Sequence, residues 1–227
     1  YKGSASVVNG NFSFSFVVPK DIAYNYGNGK ISYYAYSEES SPKDASGSDK
    51  SFVIGGTSND IEYYDYDGPE ISLYMNTESF IDGGITDKNP ILIADISDFS
   101  GINTVGNGIG HDITAVLDGN TVSPFVLNEY YEAEKDNYQK GRVRFPLFDL
   151  ENGQHTITLK VWDVFNNSSS ATISFIVSDE EFSIAEYTCF PNPAINSTDF
   201  YFQHNKSNQD INVNLDIFSI NGVLVRT

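Results

Sequence analysis

Cysteine is almost absent from this chain of 227 residues: Cys189 is the only one, so no disulfide can form within it. A reactive thiol needs a base or a cationic neighbour to lower its pKa. Cys189 sits in Tyr187-Thr188-Cys189-Phe190-Pro191 with no His, Lys or Arg nearby in sequence, and reads as a packed bystander. Histidine is nearly as scarce. His111, His155 and His204 stand far apart in sequence, none with a second His, Cys or Glu at metal-ligand spacing. Each reads as a structural or surface residue. No Gly-x-Ser-x-Gly elbow and no phosphate loop occurs. Gly106-Asn107-Gly108-Ile109-Gly110 follows no strand-then-helix pattern and reads as a shaped loop. No run of 18 apolar residues is present, which argues against a membrane-spanning helix, and no secretory leader opens the chain. Tyr1-Lys2-Gly3 reads like the middle of a domain and Gly222 to Thr227 like an interrupted strand, so we expect a piece of a longer protein.

Positive charge is also in short supply. Lys and Arg number 13 against 31 Asp and Glu, a formal net charge of −18. Such a surface repels a phosphate backbone and anionic lipid, so nucleic-acid and membrane-surface binding are disfavoured. The plain reading of the acidity is solubility. The sharper one is divalent-cation binding.

What the chain does have is alternation. Apolar residues make up 40%, enough for a packed core, and Tyr (15) and Phe (16) far outnumber the single Trp. Phe12, Phe14, Phe16 and Val18 alternate with Ser13, Ser15 and Val17. The same period of two runs through Ile113, Ala115 and Leu117, through Ile157, Leu159 and Val161, through Ile173, Phe175 and Val177, and through Ile211, Val213, Leu215 and Ile217. One face of each such strand is apolar, as sheet-on-sheet packing requires. Asn9-Gly10, Asp118-Gly119, Asn152-Gly153 and Asn221-Gly222 fall between these runs, and Asn, Asp and Gly tolerate the positive φ of tight hairpin turns. The only plausible helical turn lies near 129–136. The expected fold class is all-β: immunoglobulin-like antiparallel β-sandwich modules with a truncated β-rich C-terminal segment.

The expected organisation is a first β-sandwich module at 1–57, a linker at 58–68, an immunoglobulin-like sandwich at 69–178 and a partial module at 179–227. Residues 37–50, rich in Ser, Asp and Lys, read as a long surface loop, and Trp162 reads as core. The seven or so strand candidates over roughly 110 residues give the second module the size of an immunoglobulin domain.

Among the acids, Asp95, Asp98, Asp112 and Asp163 are the best candidates for Ca²⁺, which takes six to eight oxygen ligands. No EF-hand completes the set, and solvated loop acids are the simpler reading; no other cofactor is expected. Tyr33, Tyr34 and Tyr36, then Tyr63, Tyr64 and Tyr66, could form an aromatic platform for a glycan or peptide. Adjacent tyrosines on a strand point to opposite faces, so at least half would pack instead.

Asp95 to Thr104, followed by Gly108-Ile109-Gly110-His111-Asp112 and Ile113 to Gly119, resembles the C-terminal region of the type IX secretion sortase, a gingipain-type cysteine peptidase family of Bacteroidetes. Val126 to Tyr131, Lys140 to Leu147, and Gly153 to Asn167 around Trp162-Asp163 extend the match, as do Phe12 to Ile22 and Gly27 to Ile31. Phe190-Pro191-Asn192-Pro193 and Ile211 to Val225 are similar to the start of a type IX sorting domain.

The resemblance implies a noncatalytic accessory and docking region. The parent would be a cell-surface, outer-membrane-associated peptidase that removes sorting domains from cargo. Its catalytic Cys and His would lie in an upstream domain, and no position here matches them. The implied partners are that upstream peptidase domain, an outer-membrane barrel protein and cargo sorting domains. The rival reading is a binding or adhesin module of another type IX-secreted surface protein. Sandwiches present loops at their ends, so the contact surface is expected at Gly101, Asn103, Gly108, Gly110, His111 and Asp112.

Overall fold

The structure, a computed structural model, describes residues 2–20, 25–37, 43–56, 64–105, 110–178, 182, 184–206 and 211–226, with only the backbone at 185 and 186. The chain forms two compact units. The first comprises Tyr1–Leu73, Ile93–Phe145 and Thr156–Ile173, and the second Tyr74–Leu92, Pro146–His155 and Ser174–Thr227.

The N-terminal part holds two small antiparallel ribbons. One pairs β1 (Gly27–Asn28) with β4 (Val53–Ile54), and the other pairs β2 (Ile31–Tyr36) with β3 (Asp44–Asp49). Nine strands follow: β5 (Glu70–Met75), β6 (Ile85–Thr86), β7 (Ile91–Ser97), β8 (Thr114–Leu117), β9 (Phe125–Val126), β10 (Tyr131–Ala133), β11 (Lys140–Pro146), β12 (Gly153–Trp162) and β13 (Ser168–Val177). They make a four-stranded sheet ordered β10-β11-β7-β5 and a five-stranded sheet ordered β6-β13-β12-β8-β9. That is the order D-E-B-A beside A′-G-F-C-C′ of immunoglobulin domains. The parallel pairing of β6 with β13 fits the same pattern. The all-β, immunoglobulin-like expectation therefore holds.

The core follows the alternation. Leu92, Ala94 and Ile96 on β7, Ala115 on β8, Val143 on β11, and Ile157, Leu159 and Val161 on β12 are all buried. In the second unit Met75, Leu147, Phe175 and Val177 are buried. Two turns take the expected geometry: Asn9-Gly10 (φ 52° and 78°) and Asp118-Gly119 (φ 50° and 71°). Each is closed by a bond from the following amide, Asn11 N to Val8 O and Asn120 N to Leu117 O. Two positive φ values identify type I′ turns, whose twist matches that of the flanking strands.

Several expectations change. Residues 12–18 and 211–216 alternate but lie outside strands. Alternation marks a segment able to pair, and a ladder also requires a neighbour. Residues 44–49 form β3 rather than loop, a strand of Asp, Ala, Ser and Gly that no hydrophobic pattern would reveal. Near 129–136 only Asn128–Tyr130 forms a 3₁₀ turn before β10 begins. Trp162 is half-buried rather than core, because the inward parity belongs to Ile157, Leu159 and Val161. Its ring lies 4.3 Å from that of His111, with Lys160 Nζ 4.3 Å from the ring centre.

The C-terminal segment contributes two hairpins, β14 (Ile184–Phe190) with β15 (Asp199–His204), and β16 (Ile217–Phe218) with β17 (Leu224–Arg226). Many of their apolar side chains stay exposed, Tyr187 at 86% and Phe190 at 73%. Cys189 is half-buried on β14. No helix among the described residues is long and apolar enough to cross a membrane.

Burial predicts where truncation hurts. Phe175→Ala, at a fully buried ring, should cost about 3–5 kcal/mol in urea unfolding, since it leaves a cavity. Tyr187→Ala should stay within about 0.5 kcal/mol.

Candidate functional site: a carboxylate cluster at the end of the core

The inward stripe of β7 reads Leu92, Ala94, Ile96 and, one step beyond the strand, Asp98. That of β12 reads Ile157, Leu159, Val161 and then Asp163. Period-two geometry thus points two carboxylates along the same faces as the core side chains. Asp98 is 9% exposed and Asp163 is fully buried. Asp65, from the extended segment before β5, joins them, and one oxygen of each of the three lies within 4.8 Å of the others.

Local backbone donors hold two of these acids. Asp98 Oδ1 accepts from Ser100 N–H (2.8 Å), Ser100 Oγ–H (2.6 Å) and Gly101 N–H (3.1 Å). Asp163 Oδ1 accepts from Phe165 N–H (2.9 Å) and Asn167 N–H (2.7 Å), and its Oδ2 from the Asn167 amide (2.7 Å). The same amide also donates to the Asp65 carbonyl at 3.1 Å, tying the extended segment to this end of the unit. Asp65 Oδ1 accepts from Asp67 N–H at 3.1 Å, whereas Asp65 Oδ2 is inaccessible to solvent and accepts no hydrogen bond. Among the described residues, no Lys, Arg or His pairs with any of the three.

Burial pushes Asp98 above the ordinary carboxylate range. The Ser100 hydroxyl and amide partly offset it, and repulsion from Asp163 and Asp65 adds to it. Burial raises Asp163 too, against the bonds from Asn167 and Phe165, and Asp65 repels it. Two unit charges at 4.8 Å repel by about 3.5 kcal/mol at an effective permittivity of 20. Three ionised carboxylates at this spacing therefore call for a shared proton or a cation. The donor set suits Ca²⁺, which prefers clustered carboxylate and carbonyl oxygens. Asp65 Oδ2 is the atom most in need of one.

Parity separates these acids from the other sequence candidates. Asp95 lies on the opposite face of β7 and pairs with Arg142, Nε to Oδ1 at 2.5 Å and Nη2 to Oδ2 at 2.9 Å. Asp112 has the opposite parity to buried Ile113 and Ala115 and stays outside the cluster. Asp65 carried no sequence pattern that would single it out.

The expected contact loop divides. Gly101 and Asn103 are buried, Gly110 is exposed, His111 and Asp112 are half-buried, and Gly108 lies outside the described residues. Gly101 has φ +105°, and a Cβ there would come within 2.9 Å of the Tyr138 ring. Asn103 N donates to Trp162 O at 2.9 Å, and Asn103 Oδ1 accepts from Val105 N–H at 3.1 Å. The Gln139 amide also donates to the Phe99 carbonyl. Residues 101–103 are thus committed to the core, whereas 110–112 keep contact with solvent.

The fold defines the chain as an all-β protein built around an immunoglobulin-like strand order. Among solved structures it is similar to the crystal structure of dimeric latent PorU from Porphyromonas gingivalis. The two share 36% sequence identity at a TM-score of 0.51, over 97% of this chain and 20% of that one. The chain thus spans a fifth of the protein it resembles. No family profile matches it, and no curated protein does.

Two outcomes follow from the site. Asp163→Ala strands two part-buried N–H groups and the Asn167 amide, and should cost about 2–4 kcal/mol in urea unfolding. A folded-state pKa above the unfolded value means the folded chain holds the proton more tightly. The contribution of Asp98 to stability therefore falls as pH rises from about 3.9, the unfolded value, to its folded pKa. In chelator, Asp98→Asn should raise Tm by roughly 2 °C at pH 7, and the gain should vanish towards pH 4.

Proposed function

We propose that this chain is the noncatalytic C-terminal accessory and docking region of a cell-surface, gingipain-like cysteine peptidase. That peptidase acts as the type IX secretion sortase and removes sorting domains from cargo at the outer membrane. The observation that carries this reading is the 36% identity to PorU along 97% of the chain, together with the shared fold. The well-buried immunoglobulin-like part suits a rigid brace for a peptidase domain upstream in the same protein. The exposed hairpins β14–β15 and β16–β17 suit a segment that docks, with an outer-membrane barrel protein as its partner.

Two measurements test this. The isolated chain, incubated with a protein carrying a sorting domain, should release nothing; cleavage would overturn the reading. In the full-length protein, deleting these residues should spare hydrolysis of a short peptide while abolishing cargo processing at the surface. A rival reading, a binding or adhesin module of another type IX-secreted protein, draws on the exposed tyrosine pairs. The reading frame upstream of Tyr1 separates the two: a domain with paired His and Cys fits the first, a repeat array the second.

The orphaned Asp65 Oδ2 favours a further element of the brace, a Ca²⁺ ion held by Asp65, Asp98 and Asp163. A ligand that binds only the folded state raises stability by mass action, by about 2.7 kcal/mol at a hundredfold excess over Kd. Chelator should therefore lower the Tm, and Asp98→Asn should abolish the response. An unchanged melting curve removes the ion from the account.

A further inference from the structure

The β2–β3 ribbon has two faces of different chemistry. Directly opposed residues of an antiparallel pair share a face. One face therefore carries the pairs Ile31–Asp49, Tyr33–Gly47 and Ala35–Ala45. Tyr33 is half-buried there and meets the Phe12 ring edge-on at 5.5 Å. Phe12, Phe14 and Phe16 continue as a stacked row, with ring centres 6.4 and 6.2 Å apart and planes within 6° and 9°. This face packs on Phe12 through Tyr33.

The other face carries Ser32–Ser48, Tyr34–Ser46 and Tyr36–Asp44, and all six residues are exposed. It holds no aliphatic side chain and no cation. Tyr34 and Tyr36 are each 67% exposed, with ring centres 6.2 Å apart and planes tilted by 31°. The Tyr34 hydroxyl donates to Asp44 Oδ2 across the ribbon at 3.3 Å, which holds the ring in place. Two neighbouring aromatic plates thus lie in a field of serine hydroxyls beside one carboxylate.

We propose that this face is a binding platform for a neutral linear oligosaccharide, with successive sugar rings stacked on Tyr34 and Tyr36. A pyranose offers a C–H face and a rim of hydroxyls. The electron-rich face of a tyrosine ring receives the first, and Ser and Asp side chains exchange hydrogen bonds with the second. Charge selects among rival ligands. The face carries Asp44 on a chain of net charge −18, so single-stranded nucleic acid, which also stacks on aromatic plates, is repelled by its phosphates. Acidic glycans are repelled likewise. A proline-rich peptide needs an aromatic-lined groove, and a two-stranded ribbon presents a flat surface. The proposal is independent of the sortase reading.

The test uses the whole chain of 227 residues and saturation-transfer NMR with three neutral hexasaccharides: cellohexaose, chitohexaose and mannohexaose. At least one should receive saturation on its ring C–H protons. Tyr34→Ala with Tyr36→Ala should weaken binding at least about tenfold, whereas Tyr64→Ala with Tyr66→Ala should leave it unchanged. Tyr34→Phe with Tyr36→Phe keeps both rings and should retain most of the binding. Ser46→Arg covers Tyr34 without removing a ring, and should block binding even if the alanine pair unfolds. The proposal fails if no hexasaccharide is saturated. It fails equally if saturation survives Ser46→Arg and the alanine pair, or if only a hexagalacturonate or a proline-rich decapeptide binds.

Discussion

The constraint on which the rest of the structure depends is that a side chain's parity along a strand decides which face of the sheet it meets. On β7 and β12 the inward stripe runs through Leu92, Ala94 and Ile96, and through Ile157, Leu159 and Val161, and each stripe ends on an aspartate. A carboxylate in such a place is expensive unless hydrogen-bonded, protonated or paired with a cation. Asp98 and Asp163 are bonded by the turns that follow their strands, Ser100-Gly101 and Phe165 to Asn167. The acids thereby shape the two loops that close this end of the first unit. Asn167 then draws in the segment bearing Asp65.

Much of the fold can be read along the chain because period two is local. Ile157 to Val161 and Ile173 to Val177 declare buried faces, and Asn9-Gly10 and Asp118-Gly119 declare type I′ reversals. The same rule carries two of the three acids of the site, since one more step along each stripe reaches Asp98 and Asp163. It also sets Asp95 and Asp112 apart, and it argues against a core role for Trp162. Other features lay beyond it. β3 is stabilised by its ladder to β2 and shows no apolar pattern. Residues 12–18 and 211–216 show the pattern but lie outside strands. Asp65 meets Asp98 and Asp163 only through tertiary folding, with no periodicity linking them.

The distribution of burial bears on function. Stability concentrates in the immunoglobulin-like strands, where the large buried side chains lie. The hairpins beyond Phe182 keep Ile184, Tyr187, Phe190, Phe218 and Val225 in contact with water. The proposed brace-and-dock reading rests on this contrast between buried strands and exposed hairpins.

Amide hydrogen exchange on the intact chain tests this division most directly. The amides of 92–98, 157–163 and 173–177 should exchange only through global unfolding, while those of 217–226 exchange through local opening at far lower cost. Equal protection across the chain, or slowest exchange in the terminal hairpin, would contradict it.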